Sequence, residues 1–286
     1  VGYYSLMHFF LALLLFKDKG RHCWYGIFAA LHALTIILLG IRGVYIGFLA
    51  GLLALLIFQV PLIIERFQKN IFSFKKLALL SLIAGATILF LIGSGTAITT
   101  NYPESKLGKT ITRVSDFSLS SRSVQSRLTV WAIAWEAFRE RPLLGWGVEN
   151  FELAYNKYYK PELLRFGAAD TFFDRAHSLF FDVLVGTGVI GTIVFLLFFA
   201  SLFFHTRKNP LLFCLFFSFF ITSLFEVESF TSLILLVFLI GFLSIEKLRD
   251  SSATLTSRWS FTAVFVLLFL YTFISSFGFY MTNRAI

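Results

Sequence analysis

The sequence predicts an all-α protein: a polytopic transmembrane helix bundle of about eight spans, with one large extracytoplasmic segment that contains an amphipathic helix. Three observations predict it. First, 57% of the 286 residues are hydrophobic and only 14% are charged, whereas soluble domains run near a quarter charged. Second, the mean hydropathy is +0.79, and the apolar residues fall in long runs that one soluble core does not accommodate. Third, polar residues concentrate between 99 and 176, which hold 11 of the 25 basic residues and nine of the 16 acids.

The candidate spans, in order, are 2–16, 23–41, 43–64, 77–98, 178–204, 211–225, 229–245 and 259–282. The first is short. The chain begins at Val1 inside this run, with no charged n-region and no cleavage site, so further spans are expected to precede it. The runs 43–64 and 77–98 carry no charge at all. The runs 211–225 and 229–245 are separated only by Glu226-Val227-Glu228 and read as a tight helical hairpin with the acids at its tip. Three parts follow: a first set of spans over 1–98, a polar segment over 99–176, and a second set of spans over 177–286.

Lysine and arginine placement orients the chain, because cytoplasmic loops carry the excess of both. Lys17, Lys19 and Arg21 lie in the first gap, and Arg66, Lys69, Lys75 and Lys76 in the third. Arg207 and Lys208 follow the fifth span; Lys247, Arg249 and Arg258 precede the last. If every span crosses, all these gaps share one side, the cytoplasmic one. Arg42, Glu226 to Glu228 and the segment 99–176 then lie on the other. The net charge of +9 is thus a membrane-orienting feature, and no nucleic-acid partner is expected. Cys23 and Cys214 both lie in apolar runs and read as small buried apolar residues.

Within the polar segment a helical pattern runs from about Ser123 to Arg141. Leu128, Trp131, Trp135 and Phe138 recur at helical spacing and make one apolar face. Ser123 and Ser126 are the predicted N-caps, and Pro142, Gly145 and Gly147 stop the helix. Such a helix either lies at the membrane interface or packs on the tops of the spans.

Soluble-enzyme motifs are absent: no P-loop, no dinucleotide-binding glycine fingerprint, no His/Glu zinc pattern. Histidines 8, 22, 32, 177 and 205 share no metal-ligand spacing, so neither metal nor cofactor is implied. Arg42 is a lone charge between two apolar runs; it reads as a snorkelling interfacial residue or as an anion ligand. Arg127 falls in the first turn of the amphipathic helix, where a cation opposes the dipole unless a bound anion compensates. It reads as that ligand or as a solvated charge. His177 opens the fifth span, where an imidazole exchanges a proton near neutral pH or serves structure alone. Asp182, five residues into that span, reads as a functional carboxylate or as the ion-pair partner of a neighbouring arginine. Arg175, just before His177, completes the supporting set.

Two stretches carry a resemblance. They are Ser126-Arg127-Leu128-Thr129-Val130-Trp131 and Arg141-Pro142-Leu143-Leu144-Gly145-Trp146-Gly147-Val148-Glu149-Asn150-Phe151. With His177-Ser178-Leu179 and the later Gly188-Val189-Ile190-Gly191, they resemble the signature of the O-antigen ligase and polymerase superfamily. Arg42-Gly43 resembles that family's Ser-Arg-Gly, with Ile41 in place of serine, and Ser178 stands where the family carries asparagine. The resemblance spans about 35–200. It implies a glycosyltransferase of the bacterial inner membrane that moves a glycan from an undecaprenyl diphosphate carrier to an acceptor on the periplasmic side. The acceptor is lipid A core, a growing polysaccharide or a protein. It also implies that Arg42 and Arg127 hold the diphosphate and that His177 serves the acceptor or the leaving group. Guanidiniums stabilise a diphosphate leaving group without a metal. Two other readings stand beside it: a transporter or flippase of lipid-linked glycans, marked by inverted repeats and broken helices, and a non-catalytic membrane scaffold.

Overall fold

The structure, a computed structural model, describes residues 2–18, 23–39, 41–69, 121–166, 172–226 and 230–249. The described residues are helical or in turns and loops, with no strand among them. The helices are α1 (Gly2–Asp18), α2 (Cys23–Leu39), α3 (Arg42–Lys69), α4 (Arg122–Glu140), α5 (Phe151–Lys157), α6 (Leu179–Thr206), α7 (Pro210–Ser223) and α8 (Phe230–Arg249), with a 3-10 helix at Pro161–Phe166. Six of the eight candidate spans coincide with α1, α2, α3, α6, α7 and α8. The runs 77–98 and 259–282 lie outside the described residues. Among the described helices, α6 is the one long and apolar enough to cross a membrane.

The exposed side chains add a second membrane signature. On α2, Trp24, Ile27, Phe28, Leu31, Leu34 and Leu38 are all exposed and follow helical spacing. Leu49, Leu53, Leu56 and Ile57 do the same on α3, and Ile190, Ile193, Leu196 and Leu197 on α6. A soluble protein turns such stripes inward; contiguous apolar stripes facing outward fit a lipid solvent.

The chain divides into two compact units, Val1–Ser118 with Arg207–Thr222, and Leu119–Thr206 with Ser223–Ile286. In the first unit, α1 lies along α2, with the His8 and His32 rings stacked 5.2 Å apart. Helix α3 meets α7 through two glycines four residues apart. A Cβ on Gly47 would stand 2.7 Å from the Ser218 carbonyl oxygen, and one on Gly51 would stand 2.7 Å from the Phe10 ring while striking the Ser218 hydroxyl. Glycines at this spacing let membrane helices approach backbone to backbone.

The second unit is built on α4. Its buried residues are Ser126, Val130, Ile133, Ala134 and Ala137. All but Ser126 pack with Trp146, Phe151, Ala154, Tyr155, Leu163, Phe173 and Ala176. This inner face is not the bulky apolar face read from the sequence. Leu128 and Trp135 are 44% and 51% exposed, while Trp131 and Phe138 are only partly covered. Small and β-branched residues line the inner face because the loops behind it approach closely; the bulkier stripe is left outside. The start also differs. Ser121 is the N-cap, so Ser123 sits in the first turn and Ser126 is buried in the second. Arg127 is therefore in the second turn, clear of the free N–H groups at the helix start.

Helix α4 ends at the expected place. The Trp146 indole N–H donates to the Ala137 carbonyl at 2.8 Å. The Arg141 guanidinium lies 4.3 Å over the Trp146 ring. Glu140 accepts from Lys157 at 2.8 Å and from the Tyr158 hydroxyl, tying the end of α5 to the end of α4. These bonds hold the Glu140 carboxyl below its ordinary pKa and push the Tyr158 phenol above its own. Glu140 therefore contributes stability that is present at neutral pH and lost as pH falls through its depressed pKa. The gap in thermal midpoint between wild type and Glu140→Gln is expected to be constant near pH 7 and to close in acid, which thermal melts across pH check. Because the pair is exposed, the gap is small.

Candidate functional site

The site begins with a break in α6. Gly188 has φ 65 and ψ −166, outside the helical region, so α6 is two helices meeting at a kink. A break exposes backbone groups that lipid does not satisfy. Here the signature loop satisfies them. Trp146 N–H donates to Val185 C=O at 2.8 Å and Gly147 N–H to Gly186 C=O at 2.9 Å. In return Val189 N–H donates to Pro142 C=O at 2.8 Å and Ile190 N–H to Leu143 C=O at 3.5 Å. The loop 142–147 is spliced into the helix as a short backbone clasp.

Two glycines make the clasp possible. Gly145 has φ 69, and a Cβ there would stand 2.7 Å from Gly188 N. Gly188 has φ 65, and its Cβ would stand 2.7 Å from Leu144 N and strike the Leu143 carbonyl. Each glycine thus lies against the backbone of the opposite side of the clasp, where a side chain has no room.

The clasp places three loops around the start of α6. Before α6, the chain 174–178 is held at Ala176, which is fully buried. The Trp131 indole N–H donates to Ala176 C=O at 2.9 Å, and Ala176 N–H donates to Asp182 Oδ1 at 2.7 Å. His177 follows with φ 52, in the left-handed region, and its ring meets Phe173 edge-on at 5.5 Å. Left-handed φ in a residue other than glycine persists only where its neighbours hold it. Arg127 reaches the chain between α7 and α8. It donates to Phe225 C=O at 2.7 Å and to Glu226 Oε1 at 3.2 Å.

Trp131 connects these two groups. Its ring stacks on Phe181 at 5.4 Å and tilts against Phe225 at 6.3 Å. The residue whose carbonyl holds Arg127 and the residue before His177 therefore touch the same indole.

Arg175 and Asp182 line a cavity of about 300 Å³ with Glu149, Asp174, Phe151 and Leu233. Arg175 is paired with Glu149 at 2.7 Å. Three acidic side chains to one guanidinium make this cavity a poor host for a diphosphate and a suitable one for hydroxyl groups. His177 and Arg127 are not among its lining residues. Arg42 belongs to the first unit, where it is the first residue of α3.

The family model for O-antigen ligase matches residues 27–196. The chain belongs to the O-antigen ligase family. A search of curated proteins returns no match. The family is one of bacterial inner-membrane proteins that act in lipopolysaccharide and polysaccharide biosynthesis. For an O-antigen ligase family member, the clasp explains the signature: the Pro-Leu-Leu-Gly-x-Gly turn and Gly-x-x-Gly run are two sides of one backbone junction. The matched region contains Arg42, Arg127, Arg175, His177 and Asp182 and ends before Phe225 and Glu226, the acceptors of Arg127. Sequence reasoning placed Glu226 at a hairpin tip but missed this pairing, whose partners stand 99 residues apart. It also missed Glu149, with φ 63. The one signal for Glu149 was its place two residues after the Gly145-Trp146-Gly147 turn.

Proposed function

We propose that the protein transfers a glycan from an undecaprenyl diphosphate carrier to lipid A core, a growing polysaccharide or a protein on the periplasmic face of the inner membrane. The observation that carries this reading is the single network holding Arg127 and His177 around Trp131 in one unit. Arg127 holds the diphosphate, its guanidinium aimed in advance by the Phe225 carbonyl. Arg42 supplies a second guanidinium from the start of α3, where helix N–H groups favour an anion. The acceptor oxygen attacks the anomeric carbon, the bond from that carbon to the diphosphate breaks, and His177 takes the hydroxyl proton. The cavity beside Arg175 and Asp182 suits sugar hydroxyls.

The topology belongs to the same proposal. The six apolar helices and the runs 77–98 and 259–282 cross the membrane, and 99–176 is periplasmic. Outward apolar stripes and the alternation of basic gaps support it.

One observation favours transport instead: the broken helix at Gly188. In a transporter, freed carbonyls of such a break meet an ion. Here Val185 and Gly186 accept from the loop. The test uses purified protein in liposomes with an undecaprenyl diphosphate-linked oligosaccharide and an acceptor. His177→Ala is expected to lower covalent transfer about a hundredfold while the protein remains in the membrane. Transfer at the wild-type rate by that variant overturns the role of His177. Movement of the lipid-linked sugar across the bilayer with no covalent product supports transport.

A further inference from the structure

We infer that Trp131 and Asp182 are positioning residues that set the histidine of the reaction by clamping the Ala176 peptide units from two sides. This inference rests on the proposed role of His177.

The rotation φ of His177 joins the 176–177 peptide plane to the rest of the residue. The carbonyl of that plane accepts from the Trp131 indole at 2.9 Å. The preceding plane is held through Ala176 N–H on Asp182 Oδ1 at 2.7 Å. On the other side, Asp182 N–H donates to Ser178 C=O at 2.9 Å, locking that carbonyl into the first turn of α6. Asp182 therefore straddles His177, with its side chain on the peptide before it and its main chain on the residue after it. His177 is the joint between two fixed ends, and φ 52 is the value that joins them. Relaxing either end releases the backbone toward the more stable negative φ and swings the imidazole away from its place.

Trp131 is suited to the task because its ring is itself fixed. It stacks on Phe181 with the planes 25° apart and leans on Phe225. The chemistry required is one rigid N–H donor on α4 and one oxygen acceptor on α6. Both act on the histidine through the Ala176 peptide and not by touching substrate, although Asp182 also lines the cavity beside Arg175. This separates them from Arg127 and His177, and it predicts a distinct kinetic pattern.

Trp131→Phe keeps an aromatic ring against Phe181 and Phe225 while removing the N–H and part of the indole surface. It is expected to lower kcat about tenfold, with KM for donor and acceptor within about twofold of wild type. The thermal midpoint and the amount of folded protein are expected to stay unchanged. Asp182→Ala is expected to lower kcat similarly, and Asp182→Asn, which keeps an oxygen for the Ala176 N–H, to recover at least about a third of the wild-type rate. The inference is overturned if Trp131→Phe keeps the wild-type kcat, if its loss of activity only follows a loss of folded protein, or if Asp182→Asn falls as far as Asp182→Ala. His177→Ala is measured in parallel. An inactive His177→Ala beside a fully active Trp131→Phe sinks the clamp and leaves the reaction standing. A fully active His177→Ala sinks the proposed role of the histidine, and the clamp with it.

Discussion

Arg127→Ala is expected to slow glycan transfer about a hundredfold or more, equivalent to about 2.7 kcal/mol of lost transition-state stabilisation. The size follows from what the guanidinium does when a diphosphate leaves. Negative charge grows on the departing oxygens, and a cation already aimed at them needs no reorganisation. Arg127→Lys is expected to recover only part of the rate, since an ammonium lacks the planar fork. The structure adds a complication that the kinetics resolve. Arg127 sits 3.2 Å from Glu226, whose side chain is only 16% exposed, so alanine also deprives that carboxylate of its cation. The double variant Arg127→Ala/Glu226→Gln removes both charges. If the double variant transfers glycan at the wild-type rate, Arg127 is there to pair with Glu226 and the diphosphate role is wrong. If it stays slow, the two effects separate. Glu226→Gln alone is expected to lower KM for the donor, because a competing carboxylate is gone.

The second large effect is structural. Gly188→Ala is expected to destabilise the protein by more than about 3 kcal/mol, through left-handed strain and collision with the signature loop together. The Cβ would meet Leu144 N at 2.7 Å and the Leu143 carbonyl closer still, and both are backbone atoms that side-chain repacking does not move away. Gly186→Ala is the control. Two residues earlier in the same helix, its Cβ would meet nothing closer than 3.4 Å, and its cost is expected to be under about 1 kcal/mol. Thermal melts in detergent, read by tryptophan fluorescence, compare the two. Equal midpoints for the variants refute the clasp as the source of stability.

Much of this was legible in the sequence, for reasons that can be named. Apolar runs gave the places of six of the described helices, with ends that differ by up to five residues, since hydropathy acts over whole spans. Pro142, Gly145 and Gly147 marked the end of α4 because each is a local backbone constraint. The inner face of α4 was not legible. Val130, Ile133, Ala134 and Ala137 have the same period as Leu128, Trp131, Trp135 and Phe138. Periodicity finds both stripes and does not say which of them packs on protein. A helix with protein on one side and an exposed apolar stripe on another defeats the rule that larger residues lie inside. The place of Arg127 in the second turn was lost because the cap is Ser121, ahead of both Ser123 and Ser126. The hold on Ala176 was invisible because it joins a side chain to main-chain groups, which carry no sequence signal.

The splice in α6 bears on how the chain is made. A half-helix ending at Gly188 presents carbonyls and amides that a lone segment in hydrocarbon leaves unsatisfied. Their partners, residues 142–147, come earlier in the chain and are synthesised first. The ribosome thus delivers the patch before the gap. Maturation of this helix becomes a docking event between two separately formed pieces, and its timing is set by how soon α4 and its loop have folded. Changes in that loop are therefore expected to lower the amount of folded protein as well as its activity.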